Sequence, residues 1–202
     1  TTVVRCRSFR NGYQASPTTT QTYFISPPGA LPLLALTLDP TNLANKYTGI
    51  YARFNERGSA WERDAQVEYI TRNDAPPIGV NGGIRIHGFY SRTNAKKSFR
   101  LYLPTFPPEA YDETNLLTWP SPQQERVIVL GARELAVDRD VLFQDIYRRA
   151  GGYAPVNQPV ALYLNAEYWG IYFLRERIEE DLLHRHFGAG IYDLLDVKPG
   201  KP

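Results

Sequence analysis

The most chemically loaded stretch of the chain reads Gly88-Phe89-Tyr90-Ser91-Arg92-Thr93-Asn94-Ala95-Lys96-Lys97-Ser98-Phe99. It places a glycine, hydroxyls, a guanidinium and two ammonium groups where one strand hands over to the next. A lysine fixed on a strand is a point charge suited to phosphate, provided an acidic group holds it. Alternation sends Lys96 and Lys97 to opposite faces, so only one can point toward a cleft, and the sequence leaves open which. The competing reading is a surface hairpin with ordinary charges. A second cluster is Leu174-Arg175-Glu176-Arg177-Ile178-Glu179-Glu180-Asp181. It reads either as a charged strand-to-helix junction, with carboxylates near a helix N-terminus, or as a binding site where a strand ends. Asp145 shares a helix face with Val141 and Leu142. A carboxylate on such a stripe calls for a cation, and Lys97 or Arg92 would serve in a structural salt bridge.

Other chemistries are missing. The chain has no GxSxG, P-loop, HExxH or dinucleotide fingerprint. His184 and His186 stand two apart on a predicted helix and point to different faces, so they cannot chelate one metal. Cys6 is the single cysteine, and Cys/His zinc spacing is absent. No metal ligands are assigned. Gly79, Gly82, Gly83 and Gly88 fit the shaping of a hairpin.

The elements that must position these groups are short. Sixteen Pro and fifteen Gly punctuate the chain, and fourteen Tyr favour strands. Thr2 to Phe9 and Thr18 to Phe24 read as a hairpin with a turn at Asn11-Gly12. After Ser26-Pro27-Pro28-Gly29 the chain restarts with the apolar strand Leu33 to Asp39. Strands are predicted at 65–70, 83–88, 97–103, 126–130, 159–164 and 169–174, the last two joined through Asn165-Ala166-Glu167-Tyr168. Residues 111–124 read as a long loop and Tyr192 to Val197 as a final strand. Helices are predicted from the cap Asp138 to Gly151 and from about Ile178 to Phe187. The sum is α+β, a mainly antiparallel sheet with about two helices.

With 202 residues and 43% hydrophobic content the chain can bury a core without disulfides or structural zinc. A net charge of +2 gives no case for nucleic acid. No apolar run approaches the ~18 residues of a membrane span, and no signal peptide stands at Thr1. The chain has no Met at all, which reads as an internal piece of something longer.

Residues 33–202 resemble the CotH family, named for spore coat protein H, whose members are divergent secreted protein kinases. A "GxSSR…KKSF" element matches Gly88, Ser91, Arg92, Lys96, Lys97, Ser98 and Phe99. A "YLNGEYxGxYxLxERI" element matches Tyr163 through Ile178, with Ala166 where the family has Gly. Gly49-Ile50-Tyr51, Trp61-Glu62-Arg63 with Val67-Glu68, and Tyr192 through Lys198 fit as well. Residues 1–24 resemble the last two strands of the β-sandwich segment found beside chitobiases. The division this implies is 1–27, tail of a preceding domain plus linker, and 28–202, a CotH-like domain that stops early.

The resemblance implies the N-terminal part of an atypical kinase-like fold. Lys97, or Lys96, becomes the candidate phosphate lysine, with Asp145 or Glu134 as its acidic partner. Ser91, Arg92, Glu176 and Arg177 become candidate nucleotide-binding positions. ATP with Mg or Mn would serve the intact parent, which would phosphorylate Ser or Thr of extracellular or coat proteins. The family's metal carboxylates lie in segments further on, and Gln144 replaces an Arg that often precedes the helix Asp. Inactivity, and no tightly bound cofactor, are therefore expected of this piece, along with a secreted or cell-surface location and a homodimer through the exposed cleft face. The alternative is a non-catalytic adhesion or carbohydrate-associated module contacting a cell-surface polymer, with Trp61, Trp119 and Trp169 stacking on sugar.

Overall fold

The structure is a computed structural model, and it describes residues 1–25, 29–71, 77–103, 126–131, 137–188 and 190–195. It is α+β. Strands β1 (Thr2–Cys6) and β2 (Thr19–Tyr23) form a two-stranded antiparallel sheet. Seven further strands close into a barrel: β3 (Leu33–Leu38), β4 (Arg63–Ile70), β5 (Ile78–His87), β6 (Ser98–Leu103), β7 (Arg126–Gly131), β8 (Asn157–Leu164) and β9 (Glu167–Glu176). The order around the barrel is β3-β4-β5-β6-β7-β9-β8. All pairings are antiparallel except the closing one, in which β3 runs parallel to β8. Helices α1 (Pro40–Ala44), α2 (Val137–Arg149) and α3 (Glu180–Phe187) stand outside it.

Period-two alternation fills the barrel. Leu34, Leu36 and Leu38 meet Val67, Tyr69, Ile84, Phe99, Leu101, Leu162, Tyr172 and Leu174 in one cluster. β3 does not alternate, because both of its faces are covered. Its outward residues Leu33 and Ala35 join Ala161 and Tyr163 under Phe24 and Leu31. A continuous apolar strand is the expected signature of such two-sided burial.

The N-terminal hairpin therefore packs on the barrel. Glu68, 2% exposed on the outer face of β4, accepts the Thr22 amide at 2.9 Å and also the Thr22 hydroxyl. Phe24 meets Tyr163 edge to face with ring centroids 4.8 Å apart. The linker carries the chain over to β3, but the two parts share a buried polar contact.

Some details depart from the sequence reading. Asp138 lies inside the first turn of α2, which begins at Val137, because helical backbone starts one residue before the expected cap. Residues 191–195 form no strand, since no barrel strand offers them an edge. Leu142, Phe143, Ile146 and Tyr147 on α2 are each more than half exposed. The 111–124 loop, Trp119, Glu134 and Lys198 lie outside the described residues.

Candidate functional site

The stretch from Gly88 to Lys97 folds into a buckle. β5 ends at His87, a single 3-10 turn spans Tyr90–Thr93, and β6 begins at Ser98. Gly88 sits at φ +113, where a Cβ would lie 2.1 Å from Ser91 Oγ. A side chain there would be strained by the backbone angle and would displace the Ser91 hydroxyl. Arg92 is buried and spends its guanidinium on backbone. Its Nε donates to Gly88 O at 2.6 Å, Nη2 to Ile86 O at 2.6 Å, and Nη1 to Phe54 O and Glu56 O at 2.7 and 2.9 Å. It clamps the 54–56 loop to the end of β5.

Lys97 is the bolt of that buckle. Its Nζ donates to Arg92 O at 2.7 Å and Asn94 O at 2.9 Å, and lies 4.1 Å from the Phe54 ring centroid. Burial lowers its pKa. Lys96 takes the other direction and is half-buried, its Nζ 3.2 Å from Ile171 O and 4.8 Å from the Tyr172 ring centroid. The structure brings Ser91, Arg92 and Lys97 together and places Lys96 against β9.

The helix acids behave differently from the expectation. Asp145 pairs with Arg148 at 3.3 Å and Arg149 at 2.9 Å on its own helix, not with Lys97 or Arg92. Both of those cations are turned inward onto carbonyls, whereas Asp145 is 40% exposed. The acid one turn earlier makes the helix-to-barrel contact: Asp140 Oδ2 lies 2.7 Å from Arg175 of β9. Gln144 donates to Asp140 Oδ1, Asn157 donates to Gln144 Oε1, and Arg175 Nε donates to Asn157 Oδ1, closing a ring. Glu176 turns into the barrel and accepts Val156 N at 3.1 Å. Arg177 pairs with Glu179.

What the register adds is a row of arginines. Arg85 pairs with Arg100, Arg100 with Val129, Val129 with Arg175, and Arg175 with Asn157, so three arginine positions run across β5, β6 and β9 on the outer face. Arg85 Nε is held by Glu62 at 2.8 Å and Arg175 by Asp140. Arg100 has no carboxylate partner among the described residues. Its Nη1 donates to Tyr102 Oη at 3.3 Å, its Nη2 lies 3.3 Å from His87 Nδ1, and its buried Nε has no hydrogen-bond partner among them. A cavity of about 200 Å³ opens here, lined among others by Arg57, Arg85, His87, Arg92, Arg100 and Tyr102. Burial first, and then the neighbouring Arg100 guanidinium, push the His87 pKa down to about 4, so its ring is neutral at pH 7. Burial, followed by Arg100, also lowers the pKa of Arg177.

Sequence reasoning passed over Arg85, Arg100 and Asp140, and took in Arg175 only as part of the charged junction after Leu174. Their alternation put the strand residues on the outer face, but nothing local sets them side by side. Chemically, Arg100 is the member of the row left to meet an anionic charge, since Arg85 and Arg175 are already paired with carboxylates. A guanidinium fork matches phosphate oxygens, and a neutral His87 can donate or accept. Among the described residues, no three Asp, Glu, His or Cys groups converge to hold a metal, and no helix is long and apolar enough to cross a membrane.

Against known proteins, a family model described as CotH kinase protein matches residues 84–199, more than half of the chain. No curated protein matches. The matched span begins in β5 and takes in the buckle, the arginine row, α2 and the β8–β9 hairpin.

Proposed function

This chain belongs to the CotH kinase family, and from that premise we propose that it supplies the phosphate-binding portion of an ATP-dependent kinase. The intact protein would phosphorylate Ser or Thr of extracellular or coat proteins and would act outside the cell. The observation that carries this reading is Arg100, a buried-stem cation with no described carboxylate, set between Arg85 and Arg175 beside a cavity. Phosphoryl transfer needs charge neutralisation and positioning more than covalent chemistry, and a fixed guanidinium offers both.

In this reading the residues divide into two kinds. Arg100, with His87 and Tyr102 beside it, faces the phosphates. Arg92 and Lys97 hold the floor of the cavity by tying the 54–56 and 92–94 carbonyls together, so they position the site instead of touching the nucleotide. Mg or Mn would neutralise phosphate charge during transfer. Among the described residues no group of carboxylates assembles to hold such an ion.

The test is calorimetric titration of ATP into the chain and into Arg100→Met, which keeps the side-chain length and removes the charge. Binding that weakens tenfold or more in the variant, with an unchanged melting temperature, supports the assignment. No heat from ATP at millimolar concentration, or equal affinity in the two proteins, sinks it.

A further inference from the structure

A second cavity, larger than the first, lies where the N-terminal hairpin roofs the outer face of the barrel. It measures about 540 Å³, within the range of small-molecule sites. Its floor is a cross-strand row. Thr37 of β3 pairs in register with Gln66 of β4, and Gln66 with Asn81 of β5. Alternation points all three outward, and Thr20 of β2 comes down on them from the hairpin. Thr20 and Thr37 are 6% and 5% exposed. The hydroxyls of both, and Gln66 Oε1, are buried and have no hydrogen-bond partner among the described residues. They lie along one crevice and do not bond one another.

Buried polar atoms without partners are uncommon, and three lining a single cavity point to something that pairs with them. An apolar guest would leave all three unpaired, at a cost for each. A fully deprotonated anion such as sulfate offers no donor to Gln66 Oε1, which can only accept. The charges along the walls also compensate: Arg5 and Asp64 line the crevice with opposite sign, and Glu62 is committed to Arg85. A cation or anion would therefore gain no net field. What satisfies hydroxyls, an amide oxygen and the Asn81 amide together is a neutral molecule whose groups both donate and accept. Tyr102 closes one end of the crevice, with the Arg85 guanidinium 4.2 Å from its ring centroid.

We propose that the crevice between the hairpin and strands β3–β5 is a binding site for a neutral saccharide unit, held by Thr20, Thr37, Gln66 and Asn81. The recognition is by planar amides and hydroxyls. Neither described tryptophan takes part: Trp61 lies under Arg53 and Arg63, and Trp169 donates to Tyr51. The crevice shares Tyr102 with the cavity beside Arg100, but none of Thr20, Thr37, Gln66 and Asn81 lines that cavity, so substitutions at these four test this site and not the arginine row.

The experiment is saturation-transfer-difference NMR on the whole chain with glucose, mannose, N-acetylglucosamine and cellobiose, each at up to tens of millimolar. Inorganic phosphate and ethanolamine serve as charged probes. At least one sugar is expected to show transfer, and the charged probes are not expected to compete with it. Thr37→Val and Gln66→Leu remove unpartnered polar atoms, so both are expected to fold with an equal or higher melting temperature, and each is expected to weaken sugar binding tenfold or more. No transfer from any of the four sugars, displacement by phosphate or ethanolamine, or undiminished binding in both folded variants would overturn the proposal.

Discussion

Lys97 holds its ammonium 4.1 Å from the centroid of the Phe54 ring while bonding the carbonyls of Arg92 and Asn94. A strand lysine that could have been a phosphate ligand is thereby spent on joining three segments, 51–54, 92–94 and the start of β6. Lys97→Met keeps the stem but leaves two carbonyls without their donor. It is expected to cost about 1–3 kcal/mol of stability, read as a lower urea midpoint. An unchanged midpoint with lost ATP binding would instead return Lys97 to the phosphate role.

The ring of Asp140, Gln144, Asn157 and Arg175 makes α2 part of the barrel wall, whereas Asp145 reaches only its own helix. Asp140→Asn removes the charge from a partly buried ion pair and is expected to destabilise by about 1–2 kcal/mol. Asp145→Asn touches solvent-exposed pairs and is expected to change stability by less than about 0.5 kcal/mol. Denaturant melts of the two variants side by side separate these, and equal effects would contradict the assignment.

His87 predicts a pH dependence. Its pKa falls from about 6.5 unfolded to about 4 folded. Between those values the unfolded chain binds the proton and the folded chain does not, so stability rises with pH through this window and is lost as pH drops from 6.5 toward 4. The full effect is about 3 kcal/mol. His87→Asn cannot titrate there, so the difference in unfolding free energy between pH 7 and pH 4.5 should shrink in the variant. Parallel pH profiles would exclude the mechanism.

The two-residue turn joining β8 to β9 has Asn165 at φ 49 and Ala166 at φ 71. This matches the type I′ hairpin geometry, in which both central residues have positive φ and glycine is favoured at the second. Asn165 tolerates it and earns its place, with its Oδ1 accepting Leu38 N at 2.9 Å. Ala166 carries a strained Cβ. Ala166→Gly is expected to raise stability by about 1 kcal/mol, visible as a higher melting temperature. A lower one would mean that the alanine methyl contributes packing.

Local pattern alone determined most of the strands, the two longer helices and the turn at Asn165-Ala166, because period-two and period-three-or-four apolar spacing, together with Gly and Pro, act over a few neighbours. The family motifs were also plain as written. Closure of the sheet was not: β3 pairs with β8, more than 120 residues away, and no local signal encodes a parallel partner at that distance. Register decided the rest. It set Arg85, Arg100 and Arg175 abreast, and aligned Thr37, Gln66 and Asn81 under Thr20, since a shift of one residue turns a side chain to the opposite face. It also turned Lys97 and Arg92 inward, because their charges found carbonyls and aromatic rings before they could reach a cleft. The residue types available for chemistry were legible in one dimension; which of them were left unpaired, and therefore able to bind anything, was decided by packing.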